Sequence, residues 1–165
     1  MSAPVQALLV VAAPWLLALP IAEVERVLLG DALSAPPPAA QAHPALLGAV
    51  QHGGGRRIAV DLGALLGLPG AAESWILLTC QRVPLALRAG RCLQVAQLGG
   101  PVRPLPVGCA GGHLALGGFP AGPLAERHGL AALGLALAAD RLLPAPALSA
   151  AHALLQAPAA AGSRA

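Results

Sequence analysis

The sequence predicts a mostly β protein with few short helices, and three observations carry that reading. Apolar runs of roughly five to seven residues alternate with Gly- and Pro-bearing breaks, a length that suits strands better than helices. The stretch from Gly48 to Leu62 reads as strand, glycine turn, strand. An internal echo joins Ile58-Ala59-Val60-Asp61, Leu65-Leu66 and Pro69 to Leu135-Ala136-Leu137, Asp140, Leu142-Leu143 and Pro144. Both segments read as strand, acid, apolar turn, proline; two related subdomains and coincidence in an Ala/Leu-rich chain explain this equally well. Ala and Leu are strong helix formers, and local propensity alone favours helix in several segments. The glycine and proline punctuation outweighs it.

Ala7 to Ala12 and Trp15 to Leu19 read as a hairpin with Pro14-Trp15 near its turn. Their almost unbroken apolar character is that of strands covered on both faces. Val24 to Leu28 is a short strand in which Glu25 and Arg26 point elsewhere. Ser34 to His43, with three consecutive prolines, is a loop. Gly53-Gly54-Gly55 supplies the positive φ of a tight turn without steric cost. Asp61 caps the short helical turn that begins at Leu62.

Pro69 to Ser74 is a second loop. Trp75 to Thr79 and Val83 to Leu87 form a hairpin across Cys80-Gln81-Arg82, and Leu93 to Leu98 is another strand. Gly117 to Gly129 reads as an irregular loop and Leu133 to Ala138 as the last strand. Residues 1–144 form one domain. Residues 145–165 are an Ala/Pro-rich tail, with a short helix over Ser149 to Gln156 capped by Ser149 and a disordered end.

Composition excludes several chemistries. All ten basic residues are arginine and there is no tyrosine. Without lysine there is no Walker-type phosphate loop, Schiff base or lysine nucleophile. Net charge is +3 with the arginines scattered, too dilute for a nucleic-acid footprint. Cys80, Cys92 and Cys109 are odd in number and widely spaced, as free thiols of a reducing cytoplasm are. His43, His52, His113, His128 and His152 are isolated. Cys109 and His113 have metal-ligand spacing but lack two further ligands. No catalytic motif, metal site or cofactor site emerges.

Val5 to Ala22 is apolar except for Gln6, and as a helix would span roughly 27 Å. Read as a membrane anchor, it gives a second function class, a small membrane-anchored protein. Pro14 and Pro20 interrupt it and no positive residue precedes it, so buried strands without membrane insertion are the preferred reading.

The Gly48–Leu62 block resembles the hallmark segment of CheW-like domains, adaptors of bacterial chemotaxis arrays. In that family a glycine and apolar strand lead to Asn-Leu-Arg-Gly, a second strand, and Val-Asp-Leu with an apolar turn. Aligned without a gap, Gly48, Gly54, Val60, Asp61 and Leu62 match. Gln51 stands where the family has Asn, and Gly53 where it usually has Arg. Val102-Arg103-Pro104-Leu105-Pro106 resembles a second-half Ile-x-Pro-x-Pro element. Ala89-Gly90 replaces an Asp-Gly pair, and Arg26 replaces the Glu of Val-x-Glu-Val.

The resemblance covers roughly Ala7 to Leu143. It implies two small five-stranded SH3-like β-barrels packed together, with no active site and no cofactor. It implies a cytoplasmic adaptor, recruited to receptor arrays, that bridges a chemoreceptor tip and a CheA-like histidine kinase. An adaptor of another chemosensory pathway, such as one controlling type IV pili, has the same signature. The implied partner surface comprises Glu25, Arg26, Gln51, His52, Gly53, Gly54, Arg56 and Arg57, with Gly48 and Asp61 as structural turn residues. Deleting Met1 to Leu19 is expected to unfold the domain, as shown by loss of the far-ultraviolet strand signal. A folded, stable product would favour the anchor reading.

Overall fold

The computed structural model describes residues 4–30, 32–33, 43–68, 72–79, 83–98, 101–105 and 115–157. Within them ten strands form two five-stranded sheets: β1 (Gln6–Ala12), β2 (Trp15–Pro20), β3 (Val24–Leu29), β4 (Leu46–His52), β5 (Gly55–Asp61), β6 (Ser74–Leu78), β7 (Leu85–Ala89), β8 (Cys92–Gln97), β9 (Ala115–Pro120) and β10 (Leu133–Leu137). Three short helices accompany them: α1 (Leu62–Leu66), α2 (Gly122–Arg127) and α3 (Ala145–Gln156). The fold is mostly β, with two subdomains.

One sheet has the order β8-β1-β2-β10-β9 and the other β3-β6-β7-β5-β4. In both, the successive pairings are antiparallel, antiparallel, parallel, antiparallel. Each strand of the first half therefore has a counterpart five places later: β1 matches β6, β2 matches β7, and so on to β5 and β10. The two segments of the sequence echo lie on β5 and β10, in equivalent positions. The sheets do not divide the chain at its middle. The opening hairpin β1–β2 leaves β3–β5 to the second sheet and joins β8–β10 in the first, so the halves interlock.

Three cores explain the residue choices. Leu8, Val10, Leu17, Leu19, Leu135 and Leu137 face Ile58, Val60, Ile76, Leu78, Leu85 and Leu87 in one central core between the sheets. The alternate residues of the same strands fill the two outer cores. Ala7, Leu9, Leu16, Ala18 and Ala136 pack with Phe119 in one; Val50, Ala59, Leu77 and Ala86 pack with Trp75 in the other. Both faces of the central strands are thus buried, which is why they read as unbroken apolar runs. Outer interiors hold several alanines around a single large aromatic, because a small five-stranded unit has little inner volume. The Trp75 indole N–H is satisfied by the Gly30 carbonyl at 3.2 Å.

Val5 to Ala22, weighed in the sequence as a membrane helix, is occupied by β1, β2 and their flanks. Among the described residues no helix is long and apolar enough to cross a membrane. The β1–β2 turn contains a cis Ala13–Pro14 bond.

Two expectations need correction. Gly117 to Gly129 is not an irregular loop: it holds the end of β9 and all of α2. Gly117 and Gly118 are present because other groups press on the strand there. A Cβ on Gly117 would clash with the Arg103 carbonyl, and one on Gly118 would lie 2.7 Å from a Leu133 methyl. The glycines mark close approach, not a break. The C-terminal helix does not start at a Ser149 cap. It begins at Ala145 after Pro144, without a side-chain cap, and seats Ala147 and Ala151 in the central core. The Ser34–Ala42 part of the proline loop, Pro69–Ala71, Cys80–Arg82, Pro106, Cys109, His113 and the final residues from Pro158 lie outside the described residues.

Interlocking makes a specific expectation. Fragments 1–68 and 72–165 should each fail to fold alone, because each lacks part of both sheets. Refolded together they should form a 1:1 complex with the strand signal of the intact chain, measured by size-exclusion chromatography and circular dichroism. A fragment that folds cooperatively alone would contradict the shared core.

Candidate functional site

The glycine hairpin joins β4 to β5 with His52 opposite Gly55. Gly53 and Gly54 have φ of 59° and 79°, the paired positive values that a two-residue type I′ turn requires. Gly53 and Gly54 are exposed, and no atom lies within 4 Å of where their Cβ atoms would be. Gly48, at φ 122°, adjoins the register shift between Leu46 and Gly48 at the other end of β4. Asp61 closes β5 and accepts the Ala64 N–H at 2.9 Å, capping α1.

Along β5 successive side chains face opposite ways, and the two arginines separate accordingly. Arg57 pairs in register with Val50 and lies on the outer-core side of the sheet. Its guanidinium donates to the carbonyls of Leu78 on β6 (3.3 Å) and Leu85 on β7 (3.4 Å), and forms an ion pair with Glu25 on β3. One side chain thereby ties β5 to the three strands on its β7 side. Its side chain is only 13% exposed, against 47% for Glu25. The register shift between Val24 and Arg26 makes Glu25 the extra residue of a bulge, and a bulge re-aims a side chain.

Arg56 pairs in register with Gln51 and lies on the face that carries α3. It donates to the carbonyls of Leu155 (3.4 Å) and Ala157, where α3 ends. Those carbonyls have no intrahelical partner, and α3 has no basic residue in its last turn, so Arg56 supplies the missing cation from another element.

The structure therefore gathers Glu25 and Arg57 at one place and Gln51, His52, Gly53, Gly54 and Arg56 at the adjoining hairpin. Arg26 pairs with Leu77 through the β3–β6 ladder, but its exposed side chain has no hydrogen-bond or ion-pair partner among the described residues. Val27 and Leu29 on the same strand are exposed apolar residues, 40% and 77% accessible, which the sequence reading did not single out. Glu23 was not singled out either. Its carboxylate accepts the Ala139 N–H at 2.8 Å and its carbonyl accepts the Thr79 N–H at 2.8 Å, so it links the two subdomains. Nothing in the local sequence signals a bond across 116 positions.

A separate cleft of about 290 Å³ opens at the Asp61 end of β5, between the β1–β2 turn, α1 and the β7–β8 connection. Asp61, Glu73, Arg88, Arg91 and His128 contribute to its wall. No group of three or more potential metal ligands occurs among the described residues. Burial pushes the Cys92 thiol up from its ordinary pKa, an effect opposed by its hydrogen bond with Ser74.

The two arginines should differ in energetic weight. Arg57→Ala removes a charged donor from two strand-end carbonyls and is expected to cost about 2–3 kcal/mol in urea denaturation. Glu25→Ala, at the exposed end of the same contact, should cost less than about 1 kcal/mol. Equal, small losses from both would mean that the guanidinium is simply solvated.

No protein-family model matches the sequence, and no curated protein matches it. Among solved structures, the chain is similar to the scaffolding protein TtCheW from Thermoanaerobacter tengcongensis, with a TM-score of 0.68 and 14% identity. The match covers 85% of this chain and 92% of that one. Such an identity bears on architecture alone, and the two interlocked five-stranded subdomains described above are accordingly the fold of a CheW-type scaffolding protein.

Proposed function

We propose that this chain is a non-catalytic adaptor that couples a chemoreceptor's cytoplasmic tip to a CheA-type histidine kinase in the bacterial cytoplasm. The observation that carries the reading is the fold likeness to a scaffolding protein over 85% of the chain. The hallmark hairpin, with Gly48, Gly54, Val60, Asp61 and Leu62 in matching places, supports it. An adaptor works through small apolar patches with polar rims. Val27 and Leu29 beside Glu25 and Arg26 offer such a patch, and the Gln51–Arg57 hairpin offers a polar rim.

The hairpin departs from the family at Gly53, where an arginine is usual. Arg57 is committed to Glu25 and two strand carbonyls. Arg56 stands on the other face, against α3. The receptor contact is accordingly weakened, or shifted to these arginines and to a more acidic partner.

Titration of the full-length protein against the receptor tip and the kinase regulatory domain of the same organism tests this. Binding to both is expected. Gly53→Arg should tighten receptor binding, while Arg56→Ala and Arg57→Ala should each change it by up to about fivefold, the range of an exposed charge contact. Gly53 has positive φ, so the arginine variant also costs about 1–2 kcal/mol of stability, checked by parallel denaturation. No binding to either partner would remove the adaptor reading. Binding that all three variants leave unchanged would reduce the hairpin to a turn.

A further inference from the structure

We propose that α3 is a built-in competitor for the hairpin: its last turn occupies Arg56, and a partner that engages the hairpin must displace it. The inference rests on the adaptor reading for the identity of that partner; the contact itself is the Arg56 hydrogen bonding to the end of α3.

Arg56 donates to Leu155 and Ala157 carbonyls, about a hundred positions away in sequence. A guanidinium that holds the acceptors of a helix end is the same group that would hold an acidic partner's carboxylate. It cannot serve both at full strength. At this end α3 has no fully buried residue, and Leu154 and Leu155 are half-buried against the central core. The residues it buries fully are Ala147 and Ala151, both in its first two turns, whereas Ala153, Gln156 and Ala157 are exposed. It has no side-chain N-cap and no basic residue in its last turn. Without those aids, a twelve-residue helix depends on its packing and on the external cap. Arg57, on the opposite face, is tied into the sheet and is not part of this competition. Detachment of the last turn draws the half-buried Leu154 and Leu155 off the central core but leaves Ala147 and Ala151 in place, so the domain need not unfold.

The partner is an acidic protein surface. The rival occupants, a neutral peptide or a second copy of the chain, are separated by the salt dependence of binding and by sedimentation. Tight binding that is insensitive to salt, or self-association in place of receptor binding, contradicts the proposal.

Full-length protein, with and without the receptor tip, is compared by amide hydrogen exchange and titration. Arg56→Gln should speed exchange at the end of α3 by about two- to fivefold without partner, the range of a cation at a helix C-terminus. Receptor tip added to wild type should slow exchange in Gln51–Arg57 and speed it at Ala153–Ala157. Ala153→Gly loosens the exposed last turn without touching Arg56. It should raise receptor affinity by up to about fivefold, because a weaker competitor is easier to displace. Hairpin protection with unchanged or slowed exchange in α3, or an Ala153→Gly variant that binds no better, overturns the competition while leaving the adaptor reading intact. No hairpin protection in any variant removes the adaptor reading, and the displacement with it. Unchanged exchange in Arg56→Gln overturns the latch directly.

Discussion

The central core between the two sheets is the constraint on which the rest of the molecule depends. Six strands send alternate side chains into it and the remaining ones into an outer core. A strand buried on both sides has no solvent face on which to place a charge. Glu23, Glu25, Arg56, Arg57 and Asp61 accordingly lie toward strand ends, on an edge strand or in connections. Each fully buried leucine of the central layer, such as Leu17, Leu19 or Leu87, contributes about 1.5–3 kcal/mol through removal from water. The outer cores, with Ala7, Ala18, Ala59, Ala86 and Ala136, contribute less per residue and act as tightly filled shells.

That arrangement also decides what the charged residues do. Glu23 holds the start of the 3₁₀ segment after β10, Arg57 gathers four strands of one sheet, Arg56 closes α3, and Asp61 opens α1. In a chain with only 10% charged residues, each of these side chains hydrogen-bonds a backbone group. Partner recognition, where it occurs, has to share residues with these structural tasks.

Much of the fold was legible because the dominant signals were local. Gly53-Gly54 fixed a hairpin, Asp61 fixed a helix start, and unbroken apolar runs such as Leu8–Val11 and Ile76–Leu78 announced strands buried on both faces. The echo between β5 and β10 hinted at the duplicated strand order but not at its interlocking, since hydrophobic alternation does not say which sheet a strand joins. β9 was hidden because Gly117-Gly118 looks like a break when the pressing groups, Arg103 and Leu133, are far along the chain. At the candidate site, the opposite orientation of Arg56 and Arg57 followed from strand geometry. Their acceptors did not, because Glu25, Leu78, Leu85 and Leu155 are brought there only by tertiary packing.

The cyclic strand order has a consequence for biosynthesis. β1 and β2 are made first, yet their sheet neighbours β8 and β10 are encoded far downstream, ending at Leu137. At about 5–20 residues per second, the hairpin waits roughly 6–25 s on the ribosome before its neighbours exist. During that interval its apolar faces are open on both sides. β3–β7, by contrast, form a contiguous block whose sheet is complete in chain order before β8 emerges. The nascent chain thus holds every strand of its second sheet while the β1–β2 hairpin still lacks both neighbours, an unfinished and strongly apolar element of the kind that a holding chaperone binds.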